Sequence, residues 1–212
     1  MQGSTSTPPL DVPYFQQTRT ATCGPACLMM VMKYYDSSFE FSRQMEFRLW
    51  RKSYSLFLFG GTFQFGLATA AKSSGFSPEI YQTVRFSDGY PHAPGVADLV
   101  ERIVSHHARS LNIPIHLGKE NLEVIREVLS ESIPPIVFIN LQPILGENVF
   151  HWVVATGIDE WNVYVNDPYV PKGFGNAQKK NHPVPLDVFS SAMETHKGRH
   201  LRFPPCVVLV KP

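Results

Sequence analysis

The chain has 212 residues, 43% of them hydrophobic, and its 19 Lys and Arg nearly balance 18 Asp and Glu for a net charge of +1. That length fits one domain with a real core, and the lack of any basic run gives nucleic acid no electrostatic footing, so no nucleic-acid partner is expected. Three cysteines, an odd number without framework spacing, argue against a disulfide-stapled secreted domain.

The first residues, MQGSTSTPPL, carry no basic region followed by an apolar stretch, so they do not read as a signal peptide. Residues 1–11 are polar and Pro-bearing and are expected to form a flexible tail. The stretch from Val12 to Tyr35 then reads as an extended approach, a tight turn and a helix starting at Cys23. Pro25 near the helix start does no harm there. Ala26, Met30 and Tyr34, with Cys27 and Val31, form an apolar stripe. Asp36, Ser37 and Ser38 break that helix. A second is expected over Phe41 to Lys52. Gly60 and Gly61 form a joint, and Thr62 is a candidate N-cap for a helix to about Ser73, ended by Gly75. Ile80 to Val84 is a strand candidate, 86–95 a loop, and Val96 to His107 a further helix.

From Ile113 the pattern turns apolar and β-branched. Strands are expected over Ile113 to Leu117, Ile136 to Leu141, Phe150 to Ile158, Trp161 to Asn166 and Cys206 to Val210, with helices around Leu122 to Leu129 and Leu186 to Met193. Residues 168–185 read as a long Pro- and Gly-bearing loop. The layout is α+β, helices on one side and a largely antiparallel sheet on the other. One domain is expected over 12–212, with a helical lobe to about 110 and a sheet lobe beyond. No apolar run is long enough to span a bilayer, so a cytoplasmic protein without membrane insertion is expected.

Chemistry concentrates at a few positions. A cysteine at a helix N-terminus sits in the field of unpartnered backbone N–H groups, which favours the nucleophilic thiolate. His151 opens one strand and Asp167 closes the next. If their hairpin turn centres on Asp159, the two lie opposite each other on one face. A carboxylate there orients the imidazole, and an imidazole beside a cysteine makes a thiolate–imidazolium pair. Gln17, six residues before Cys23, can donate its amide N–H to a developing oxyanion, as can the Cys23 backbone.

The pattern Gln17–x5–Cys23–Gly24–x2–Cys27–Leu28, with His151-Trp152-Val153-Val154 and Asp167-Pro168, resembles the double-glycine, or bacteriocin-processing, peptidase family. That resemblance implies a papain-like fold and a Cys-His-Asp site: Cys23 the nucleophile, His151 the base, Asp167 the orienter and Gln17 the oxyanion residue. It implies a peptide or protein substrate, cut after small residues such as Gly-Gly, and no metal or organic cofactor. The same site could pass its acyl group to an amine, or survive only as an inactive peptide-binding module.

Rival assignments exist at each position. Cys23 could be a buried structural thiol, but Gln17, His151 and Asp167 together weigh against that. Cys27 lies one turn inside the helix and is assigned to the core, as is Cys206. Cys23 and Cys27 could share a metal, yet no further ligand pair is evident. Asn166 could orient His151, but strand neighbours face opposite ways and Asp167 is preferred. Gln16 could replace Gln17, although the spacing favours Gln17. His92, His106, His107, His116, His182, His196 and His200 show no partner pattern.

Overall fold

The computed structural model describes residues 6–53, 61–89, 94–119, 121–169, 179–194 and 204–212. Its helices are α1 (Cys23–Tyr35), α2 (Arg43–Lys52), α3 (Gln64–Lys72), α4 (Pro94–Ser110), α5 (Asn121–Ser130), α6 (Gln142–Leu145) and α7 (Leu186–Met193). Its strands are β1 (Ser77–Gln82), β2 (Ile115–Leu117), β3 (Ile136–Asn140), β4 (Phe150–Ile158), β5 (Asn162–Asn166), β6 (His182–Pro185) and β7 (Cys206–Lys211). Among the described residues they form one sheet in the order β2-β1-β7-β3-β4-β5-β6. Of these described strand pairs only β1–β2 is parallel.

Helices cover both faces of this sheet, where one covered face was expected. Trp152, Val154, Phe138 and Val208 pack with α1 and α3 in one apolar cluster. Val153, Ala155, Val137 and Leu209 pack with α5 and α7 in the other. This explains why β3, β4 and β7 read as nearly continuous apolar runs: a strand buried on both faces has no polar side to alternate with. The first half of the chain also supplies β1 to the sheet, and the second half supplies α5 and α7, so the two lobes expected from sequence interleave.

α1 is buried from Cys23 to Met32, as a helix apolar all round must be. α2 starts at Ser42, whose side chain accepts from the Met45 N–H, and ends on Arg51 and Lys52, cations suited to the negative end of the dipole. Thr62 does not cap α3. The N-cap is Phe63, without a side-chain bond, and the Thr62 carbonyl instead accepts from Trp152 Nε1 at 2.9 Å. Gly66 near the start of α3 permits a close approach, since a Cβ there would lie 1.6 Å from the Ser53 carbonyl oxygen. Gly60, half of the expected joint, lies outside the described residues.

Two further expectations change. Residues 6–11, assigned to a flexible tail, run along β4: Thr7 and Ile158 exchange backbone hydrogen bonds, and Leu10 N–H donates to Thr156. Within the expected loop 168–185, residues 182–185 form β6 on β5. Its sequence, His-Pro-Val-Pro, hides it, because prolines lack ladder donors and are confined to edges such as this one. Among the described residues no helix is long and apolar enough to cross a membrane.

Candidate active site

Cys23 is the first residue of α1. Its neighbour Gly24 is tightly enclosed, since a Cβ there would meet Thr62 Cβ at 3.2 Å and Trp152 Cδ1 at 3.3 Å. The Trp152 indole, anchored on Thr62, thereby fixes the helix start against β4. This brings the side chain of His151, one residue earlier on β4, beside the Cys23 sulfur, where each shifts the other's ionisation.

The hairpin register differs from the expected one. The turn centres between Glu160 and Trp161 rather than on Asp159, since Ile158 pairs with Val163, and a bulge between Ala155 and Gly157 takes back one residue, so Val154 faces Asn166. Asp167 therefore follows the last paired residue and meets His151 diagonally rather than squarely. His151 Nε2 and Asp167 Oδ1 are 2.7 Å apart, both residues buried. With Nε2 engaged by the carboxylate, Nδ1 is the ring nitrogen left for the sulfur. Asn166 turns away, donating to the Val12 carbonyl at 3.0 Å and accepting from Asn181 N–H at 2.8 Å.

Two contacts on this carboxylate, and one on its backbone, gave no sequence signal. Lys179 Nζ binds Asp167 Oδ2 at 3.0 Å, and Tyr169 N–H donates to Oδ1 at 2.9 Å. The Asp167 N–H donates to the Lys179 carbonyl. Lys179 stands in a stretch whose composition says only loop, and its pairing depends on how β6 returns. Tyr14 Oη donates to the Asp167 carbonyl and Gln17 N–H to the Pro168 carbonyl. These bonds tie the approach to α1 to the end of β5.

The electrostatics follow from these partners. Burial pushes the Cys23 thiol up, but the His151 hydrogen bond and charge, with backbone bonds from Trp152 and Gly24, bring it below its ordinary value. Burial likewise disfavours a charged His151, yet the charge and hydrogen bond of Asp167, with Cys23, raise it to about 10. Asp167 is lowered to about 2: burial opposes ionisation, and His151 and Lys179 outweigh it. Both shifts act in the direction of a thiolate–imidazolium pair.

Gln17 lies on the loop before α1. Its Nε2 donates to the Arg19 carbonyl at 2.8 Å and, more loosely, to the Thr20 carbonyl at 3.3 Å. Its described side-chain contacts are thus to its own loop. Gln16 is exposed. Cys27 is fully buried and its thiol donates to the Trp152 carbonyl at 3.2 Å. Cys206 is buried in β7. His116 stacks on Tyr81 and pairs with Glu79 at 3.2 Å, away from the Cys23 cluster. His92, His196 and His200 lie outside the described residues.

The model of the Peptidase_C39 like family matches residues 12–204. The chain belongs to that family. The match runs from the approach to α1 through the end of the described site. Among solved structures, a C39-like peptidase from Bacillus anthracis superposes with a TM-score of 0.57 at 15% identity, over 98% of each chain. The peptidase domain of Streptococcus ComA, a bi-functional ABC transporter, gives 0.52 at 20% identity, over 95% of this chain and 98% of that one. A double glycine motif protease in complex with its leader peptide gives 0.51 at 17% identity, over 98% and 97%. At such identities the likeness establishes the α+β papain-like fold. No curated protein matches the chain.

Proposed function

We propose that this protein is a cysteine peptidase that hydrolyses peptide bonds through a thioester acyl-enzyme, with Cys23, His151 and Asp167 as its triad. The observation that carries this reading is the buried His151–Asp167 hydrogen bond set beside Cys23 at the N-terminus of α1. The Cys23 thiolate attacks the substrate carbonyl carbon. The negative charge that develops on the carbonyl oxygen is met by the Cys23 backbone N–H and the Gln17 amide, which exchanges its looser bond to Thr20 for the oxyanion. His151 gives its proton to the departing amine, which breaks the C–N bond and leaves a thioester. A water then attacks the thioester, losing its proton to His151, and the carboxylic acid leaves as the thiolate re-forms. Asp167 holds the ring and its charge throughout.

The substrate on this reading is a peptide or a peptide segment of a protein. The double glycine motif protease among the structural neighbours supports cleavage after a pair of small residues. Incubating the full chain with a peptide library, and reading products by mass spectrometry with Cys23→Ala as control, tests both statements. Products at Gly-Gly or similar small pairs, absent in Cys23→Ala, are expected. Products identical in the control, or none, would remove the peptidase assignment. Adducts in place of acids when a primary amine is added would make the enzyme an acyl transferase.

A further inference from the structure

The loop that joins Gln17 to Cys23 is held by a residue far away in sequence. Glu46, on α2, is fully buried. Its carboxylate accepts from Thr18 N–H at 2.8 Å, from the Thr18 hydroxyl, and from the Thr22 hydroxyl at 2.5 Å. Among the described residues no cation pairs with it in an ion pair. A buried carboxylate without a cation is costly and persists only when its oxygens are fully hydrogen-bonded. Here those bonds go to the two ends of one five-residue turn.

The second observation concerns Thr22. It is the N-cap of α1, but its side chain makes no capping bond. An N-cap threonine ordinarily accepts from the N–H of the second or third helical residue. Here the third is Pro25, which has no N–H. The Thr22 hydroxyl lies 2.5 Å from Glu46 Oε1 and 2.8 Å from the Arg19 carbonyl, so its single proton goes to acceptors on the side of the loop. The bond therefore holds the end of the turn just before Cys23, whose own backbone N–H is the one an oxyanion meets.

We propose that Glu46 is a positioning residue for the oxyanion side of the site: it locks Thr18 and Thr22, and so fixes the turn that presents Gln17 and leads into the Cys23 N–H. This rests on the peptidase reading above. Its contribution is geometric, because a negative charge near a developing oxyanion cannot itself stabilise it. Glutamine should therefore replace Glu46 well, accepting with Oε1 from Thr18 N–H and Thr22 and donating with Nε2 to the Thr18 hydroxyl.

Two probes separate this role from a general structural one. Iodoacetamide alkylates the thiolate without forming an oxyanion. An N-capped glycyl-glycine aldehyde adds to the sulfur, forming an S–C bond while the aldehyde oxygen takes up charge in the oxyanion position and is protonated from His151. For Glu46→Ala in the full chain, alkylation of Cys23 should stay within about twofold while kcat and aldehyde affinity fall about a hundredfold, the scale of one lost oxyanion donor. KM should change little, and Glu46→Gln should recover most of the loss. If Glu46→Ala does not fold, Thr22→Val decides, with the same split at smaller size. Alkylation and kcat falling together, or kcat unmoved, would overturn the assignment of Glu46 while wild-type turnover keeps the peptidase reading. A wild-type protein that neither cleaves peptides nor binds the aldehyde removes that reading and the role of Glu46 with it.

Discussion

Cys23 and Cys27 sit one turn apart on α1, and both are buried. Yet the first thiol is drawn below its ordinary value and the second is pushed well above it. Cys206 in β7 is the control, because burial alone acts on it and drives it up. Burial therefore cannot make a nucleophile here. The difference lies in what one helical turn changes: Cys23 has His151 and two backbone bonds, while Cys27 donates its own proton to the Trp152 carbonyl. The first turn of α1 supplies unpartnered N–H groups, and the second has already spent its own on the helix.

The largest expected effect removes the partner that distinguishes the two turns. His151→Ala should lower turnover by about a thousandfold or more, the scale of a lost triad member. It should also erase the labelling preference. In wild type, brief iodoacetamide treatment at neutral pH followed by peptide mapping should find Cys23 modified and Cys27 and Cys206 spared. Labelling led by Cys27 would falsify the contrast between the turns.

Asp167→Asn comes next. Asparagine can still orient His151 but cannot offset its charge, so turnover should fall by about a hundredfold or more while some activity survives. The pH dependence carries the sign. His151 is raised to about 10, so its contribution to the ion pair is full below its unfolded value and is lost as pH climbs toward about 10. Asp167 is lowered to about 2, so its contribution is full above its unfolded value and is lost only as pH falls toward about 2. The basic limb of kcat/KM thus reports His151 and the acidic limb reports Cys23. In Asp167→Asn the basic limb should move to lower pH, and an unmoved limb would mean that the carboxylate does not hold the charged ring.

Lys179 sharpens the same point from the other side. Its ammonium binds the oxygen of Asp167 that His151 does not use and so dilutes the carboxylate's pull on the ring. Lys179→Met should leave turnover near neutral pH within a few-fold and move the basic limb up, opposite to Asp167→Asn. A shift in the same direction for both variants would show that Lys179 acts on the loop rather than on the charge.

Much of this was legible in the chain because it is local. The Gln-x5-Cys spacing, the Gly24-Pro25 helix start and the apolar runs of β3, β4 and β7 are properties of short segments. His151 and Asp167 could be placed together because hairpin neighbours remain close even when a bulge shifts the register, as the one after Ala155 does. What stayed hidden is non-local. Glu46 is one acidic residue among many on a helix until α2 packs beside the loop of Thr18 and Thr22. Lys179 needs the return of β6, and β6 itself was masked by its prolines. The helices of the second layer were legible as elements, but the face of the sheet they cover was not, because that depends on packing between distant segments.

The smallest expected effect on activity is at Cys27, the other half of the comparison. Its thiol donates to the Trp152 carbonyl, and the Trp152 backbone also acts on the Cys23 sulfur, so the two turns meet at one residue. If Cys27 served the chemistry through that residue, Cys27→Ala would slow alkylation of Cys23. If it serves only packing, the variant leaves an unpartnered buried carbonyl and a small void, costing about 1–3 kcal/mol. The second outcome is expected, because the ladder pair of Trp152 with Phe138 and the indole bond to Thr62 already hold that residue. Thermal unfolding should therefore occur a few degrees lower, with the rate of Cys23 alkylation and kcat both within about twofold of wild type. A stable Cys27→Ala protein with sluggish Cys23 would mean that the second turn tunes the first, and the boundary between the two turns would have to be redrawn.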